Sequence, residues 1–288
     1  MAFIMRNDSY RVKSRVSFGT IMFRIVIAAV ILLVASLVLL YVLGVRYIST
    51  TTGEGLEIKF FGVVDSDGTP KRGVLRYSDG TSASVNAETG VLEYSSGDMY
   101  TGSLDKMMKH GNGRLVCKNG DVYEGGFQND VISGFGKYTA SSGDIYEGFF
   151  KNGKFDGQGT YTYADGTVYE GQFVGGRREG KGKITYSYGD TYEGDYADNM
   201  KHGNGTYTWA NGDVYEGQFA KDVREGQGTY TWANGEKYVG DFENNLMNGE
   251  GTFTWPGGRV YSGYFENGVI VRTEDGTEEN ADGAENAE

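Results

Sequence analysis

Apolar and polar residues follow two different rules along this chain. From Ile25 to Val45 the sequence reads IVIAAVILLVASLVLLYVLGV, 21 residues without a charge. As a helix this run would extend about 31 Å, enough for a bilayer core. Further on, the rule becomes alternation in short runs broken by turn residues. In GNGTYTWANGDVYEGQF (Gly203–Phe219), TYTW and DVYEGQF read as strands and ANG separates them. Gly205, Tyr207 and Trp209 fall on one face of the first strand, and Tyr215, Gly217 and Phe219 on one face of the second. A two-residue loop would set Tyr215 against Thr208 and mix aromatic with polar positions. The three-residue loop Ala210-Asn211-Gly212 sets Tyr215 against Tyr207 and Gly217 against Gly205, and is the hairpin the pattern predicts. Its last residue is left-handed, which suits Gly212. Rings, Phe219 and its equivalents above all, are expected to fold over the facing glycines.

The hairpin repeats. Tyr100, Tyr123, Tyr146, Tyr169, Tyr192, Tyr215, Tyr238 and Tyr261 stand 23 residues apart. A glycine follows each by two residues, and a Gly-x-Gly motif holds the same register seven times, from Gly111-x-Gly113 to Gly249-x-Gly251. Most of the 47 glycines are therefore positional, and the chain is an array, not a flexible linker. Tyr-Glu-Gly-x-Phe, a short polar loop and Gly-x-Gly at this period resemble the MORN repeat. That resemblance implies an all-β repeat array, an elongated single-layer antiparallel sheet of about eight stacked hairpins that binds partners and is not catalytic. The segment RGVLRYSDG (Arg72–Gly80) resembles TGVLEYSSG (Thr89–Gly97) at a spacing of 17, a shortened copy.

Charge divides the ends. The first 24 residues carry a net +4, and the flank after the apolar run is nearly neutral. This bias predicts an uncleaved single-pass membrane anchor with a cytoplasmic N-terminus and extracytoplasmic repeats. Residues 1–24 then form a basic tail, 25–45 the membrane helix, 46–71 a linker with possible first strands and 72–272 the array. Residues 273–288 hold seven acidic and no basic residues and read as a disordered tail. A net charge of −12 speaks against nucleic acid as a partner. A protein partner or self-association fits better; a cell-envelope glycan or a lipid is the alternative.

Chemistry of the catalytic kind is not legible. The sequence has no H-E-x-x-H, G-x-S-x-G or P-loop, so no enzyme activity and no cofactor are expected. His110 and His202 would lie about 38 Å apart in such a sheet, too far to share a metal. DSDGTP, from Asp65, reads as a turn. On the polar face, Glu124, Glu147 and Glu193 oppose Arg114, Lys137 and Lys183 as candidate ion pairs. The candidate partner-binding residues are Tyr163, Tyr186, Trp209, Trp232 and Trp255. They recur beside the turns of successive repeats on the aromatic side, which nothing else in the sequence is expected to cover. Cys117 shares their position in the repeat.

Overall fold

The computed structural model of the protein describes residues 18–52, 55–86 and 89–271. The acidic tail and the basic segment up to Ser17 lie outside these residues. One helix, α1 (Phe18–Val42), comes first, and its Met22–Val42 stretch is long and apolar enough to cross a membrane and buries none of its residues. It stops short of the end of the uncharged run because Gly44, at φ +77°, turns the chain into the first strand.

Everything described after α1 belongs to one antiparallel sheet of 21 strands, β1 (Val45–Thr51) to β21 (Val269–Ile270). Each strand pairs with its neighbours in the chain, so the sheet is an unbroken meander. Residues 46–71 hold full strands, because β1 and β2 (Glu57–Val64) pair residue for residue from Val45↔Val63 to Thr51↔Glu57. The shortened copy forms β3 (Pro70–Tyr77) and β4 (Ser82–Val85).

The predicted hairpin register is the one observed. Between β15 (Met200–Thr208) and β16 (Val214–Ala220), Tyr207 faces Tyr215 and Gly205 faces Gly217. Gly212 sits at φ +94° and donates its N–H to the Trp209 carbonyl at 2.9 Å, while Trp209 donates to the Asp213 carbonyl at 2.9 Å. The same two bonds close the turns at Asp65 and Tyr77, before the 23-residue period begins. At the other end of each repeat lies a two-residue turn. Between β16 and β17 (Val223–Thr231) it is Lys221-Asp222, with φ of +49° and +70°, the mirror-image turn that suits the twist of paired strands. Just inside it the register slips from Gly217↔Gly228 to Phe219↔Arg224, a bulge that contains Gly226 at φ +77°. The two glycines of Gly-x-Gly thus do different work: the first bends the strand and the second makes room.

That room is filled by tyrosine. A Cβ on Gly228 would lie 2.6 Å from Cε2 of Tyr215, and one on Gly217 would lie 2.6 Å from the Tyr215 hydroxyl. The ring lies over both glycines, and its hydroxyl donates to the Gln218 carbonyl at 2.9 Å. Phe219 does not fold over the glycines as expected. It stands edge-on between Tyr192 and Tyr215, with centroids 5.0 and 5.2 Å away, a favoured aromatic geometry. Phenylalanine therefore joins repeats, and tyrosine seals each one. Both are buried, so the sheet obtains a core from the rings of its own strands.

Candidate functional site

The five candidate residues open the three-residue turns of successive repeats, and all are half-buried. Trp209 lies against Tyr207 at 4.5 Å and Tyr230 at 5.1 Å. Trp232 lies against Tyr230 at 4.4 Å and Phe253 at 5.3 Å, and Trp255 against Phe253 at 4.7 Å. Tyr186 enters the run through Tyr207 at 6.3 Å, and Tyr163 packs on Tyr161 at 4.6 Å. From Tyr186 to Trp255 the rings form one ladder, in which each turn residue alternates with a strand residue of its own or the next repeat.

The aromatic side is not left bare, contrary to the expectation. One position per repeat, just inside the two-residue turn, covers it: Lys109, Ile132, Phe155, Arg178, Lys201, Arg224 and Met247. The Arg224 guanidinium lies 5.4 Å from the Trp209 ring and 5.3 Å from that of Tyr230. Lys201 lies 5.3 Å from Tyr207, and Arg259 sits 3.9 Å over Trp255. Such cation–π contacts are stronger when partly desolvated, and burial lowers the pKa of both Lys201 and Arg224.

Each covering residue has a partner 21 positions on, in the next two-residue turn. Arg178 and Arg224 meet Asn199 and Asn245. The arginine backbone N–H donates to the Asn Oδ1 at 2.9 and 2.8 Å, and the guanidinium donates to the Asn carbonyl at 2.5 and 2.6 Å. Lys109 and Lys201 meet Asp130 and Asp222, with Nζ–Oδ1 distances of 3.2 and 3.8 Å. The apolar Ile132, Phe155 and Met247 meet Gly153, Gly176 and Gly268, which donate only a backbone N–H to them, at 3.0, 2.8 and 2.9 Å. Lysine thus goes with Asp, arginine with Asn and an apolar cover with Gly.

A second set of residues escaped the sequence reading, although its signal was present: an Asp two residues before the repeat tyrosine. Asp213 Oδ1 accepts the Ala233 N–H at 2.8 Å, and its Oδ2 accepts the Tyr230 hydroxyl at 2.8 Å. Asp121, Asp144 and Asp190 make the same pair of bonds to the next repeat. These bonds fix the ring of the following repeat against the turn before it. They also hold the Asp121 carboxyl down to about 2, chiefly through the Ser141 N–H, then the Tyr138 hydroxyl.

The opposite face is a shallow trough of about 1210 Å³ floored by the paired glycines, with Glu147, Glu170, Glu193 and Glu216 along it. Of the expected cross-strand pairs, Arg114 and Glu124 close to 2.9 Å. Phe135 and Phe149, both exposed, meet edge-on at 5.6 Å at one end of the trough. Among the described residues no group of three His, Cys, Asp or Glu side chains is placed to hold a metal ion.

Seven tyrosines, Tyr100 to Tyr238, bond the carbonyl three residues on; Tyr261 bonds the Val271 carbonyl instead, at 3.4 Å. The family described as MORN repeat matches the same seven units, residues 100–122, 123–145, 146–168, 169–191, 192–214, 215–237 and 238–258. The chain belongs to the MORN-repeat family. No curated protein matches it. Among solved structures, the array is similar to the TCP domain of SAS-4 (dCPAP) of Drosophila melanogaster, solved in complex with a proline-rich motif of Ana2. That pair shares 16% identity over 64% of this chain and 90% of that one, at a TM-score of 0.33. The TCP10 domain of Danio rerio CPAP is 13% identical over 75% and 99% of the two chains, at a TM-score of 0.36. Neither likeness bears on how the MORN array works.

Proposed function

We propose that this MORN-repeat protein is a membrane-anchored, non-catalytic scaffold that holds its array outside the cytoplasm and binds an extended segment of a partner protein. The supporting observation is the half-buried aromatic ladder from Tyr186 to Trp255, preceded by Tyr163. Tyr163, Tyr186, Trp209 and Trp232 pack against the buried core yet stay half-buried, so part of each ring remains open to a partner. Large rings with few rotatable bonds are the residues that interfaces favour as anchors. The anchor in this reading is α1, which is long and apolar enough to cross a membrane, and the net +4 charge before the apolar run favours a cytoplasmic N-terminus.

The experiment is the triple change of Trp209, Trp232 and Trp255 to Ser. A folded variant that no longer retains proteins captured from its own membranes by the wild-type array is the expected result. A variant that folds and retains them equally well ends the proposal. A glycan reading draws on the same ladder, since rings at regular spacing also suit sugars; retention of the wild-type array on purified cell-envelope polysaccharide would favour it.

A further inference from the structure

On the face of the sheet opposite the ladder, one row of cross-strand neighbours changes character at its N-terminal end. In the array this row reads Val122, Ile145, Val168, Thr191 and Val214, compact half-buried side chains with a threonine between each pair. Followed back through Val116, Met99, Glu93 and Ser84, it ends on Val74, Phe61 and Tyr47. There the side chains stand clear of the sheet: Tyr47 is 64% exposed, Phe61 61% and Val74 41%. Val74 lies between Arg72 and Arg76, which are exposed on the same face. Among the described residues no ion pair closes on either arginine, whereas Lys59 and Lys71 nearby are held by Glu57 and Asp65 at 2.9 and 3.2 Å.

Large apolar side chains left in water forfeit the free energy of burial, and the array places no ring in this row. What sets β1–β3 apart is their distance from α1. The uncharged run ends at Val45, so Tyr47 lies within about 7 Å of that point on an extended strand, however β1 is inclined. Phe61 is the direct cross-strand neighbour of Tyr47, and the Val64 N–H donates to the Gly44 carbonyl, so β2 is fixed at the same level. The headgroup layer of a bilayer is about 5–7 Å thick on each side. Aromatic rings collect in that layer, and an arginine beside them lays its stem on the apolar boundary and offers its guanidinium to phosphate.

We infer that the Tyr47–Phe61–Val74 face, with Arg72 and Arg76, seats β1–β3 in the headgroup layer of the bilayer that α1 crosses. The inference rests on the reading of α1 as a membrane anchor and adds a second, interfacial contact to it. The phospholipid surface meets every feature of the patch: acyl boundary for the rings and Val74, phosphate for the two uncommitted guanidiniums. Held on one face in this way, the start of the array cannot pivot about Gly44.

The test uses the full chain with Cys117→Ser, which removes its one cysteine, and a single Phe61→Cys, Val74→Cys or Phe149→Cys labelled with the environment-sensitive dye NBD. Phe149 is exposed on the same face, eight strands farther along the sheet, and serves as the control. Each chain is reconstituted into nanodiscs of phosphatidylcholine and phosphatidylglycerol, with or without doxyl-labelled lipid, and iodide is added to the water. The expected result at 61 and 74 is a blue-shifted emission that doxyl lipid quenches and iodide does not, with the reverse at 149. Equal iodide quenching at all three positions in chains that co-migrate with the discs overturns the inference and leaves the anchor standing. Protection from iodide without doxyl quenching, persisting in detergent, gives the face to a protein contact and also overturns it. Chains that never enter the discs remove the anchor and the inference together. Tyr47→Ser with Phe61→Ser, both at exposed positions, should restore iodide quenching at position 74 in inserted chains; undiminished protection there overturns the role of the rings.

Discussion

Two tyrosines four residues apart carry opposite consequences for the same hydroxyl. Tyr192 donates to the Asp195 carbonyl at 2.8 Å, whereas the Tyr196 hydroxyl, at a position where most other repeats have Phe, is buried without a partner. Tyr192→Phe should therefore cost about 1 kcal/mol, and Tyr196→Phe should be neutral or stabilise by up to about 1 kcal/mol. Denaturant melts of the two variants check this, and equal losses would contradict it. The turn makes a similar pair. Gly212 is left-handed, so Gly212→Val should destabilise by about 1 kcal/mol or more, while Asn211→Ala loses two exposed bonds, from its Nδ2 to the Asp213 carboxylate and from the Asp213 N–H to its Oδ1, and should cost less. Equal melting temperatures for these two would remove the three-residue turn as a determinant of the fold.

Between repeats, stability rests on bonds that span 17 to 21 residues, and some of them titrate. The Asp121 carboxyl lies near 2 when folded, against about 3.9 in an unfolded chain, and the Asp213 carboxyl is lowered too, first by the Ala233 N–H. A depressed folded pKa gives stability that is fully present above about 4 and is lost as the pH falls through about 2. Asp121→Asn should lower the melting temperature at pH 7 and flatten its fall between pH 5 and pH 2, measured against wild type by circular dichroism. The covering residues and their turn partners form a second coupled set. Arg224→Met alone leaves Asn245 without its guanidinium, whereas Arg224→Met with Asn245→Gly recreates the Met247–Gly268 pairing. The double change should be less damaging than the sum of the two singles, by about 0.5–3 kcal/mol. The hairpin register was legible in the sequence because alternation, the turn glycine and the glycine pair leave one solution. The covering position was not, because Lys, Ile, Phe, Arg, Lys, Arg and Met share no chemistry. It becomes visible only beside the residue 21 positions on. Alternation alone lets either Tyr215 or Phe219 lie over the glycines, because both sit on the aromatic face; the Tyr215 hydroxyl, which needs a carbonyl within reach, gives that place to Tyr215.

At the scale of the whole molecule, the helix and the array meet without slack. Gly44 turns the chain directly from α1 into β1, and the Val64 N–H donates back to the Gly44 carbonyl at 3.1 Å. Arg46 lies over the Tyr41 ring at 4.0 Å and donates to the Tyr41 carbonyl at 2.7 Å, which ties the last turn of the helix to the first strand. If α1 spans a bilayer, the array must therefore begin at the membrane surface on the side where the helix ends. On the proposed topology that side lies outside the cytoplasm, the orientation favoured by Arg6, Arg11, Lys13, Arg15 and Arg24 against Asp8 before the helix. Protease added to intact cells or spheroplasts should then release fragments of residues 45–271 while an epitope at the N-terminus stays protected. The epitope should become accessible only after the membrane is permeabilised. Fragmentation should also start at the ends of the array, because each repeat is held only by its neighbours and the terminal ones have one neighbour fewer. An array that resists protease until permeabilisation would put the repeats in the cytoplasm. A soluble chain lacking its first residues would instead identify α1 as a cleaved leader.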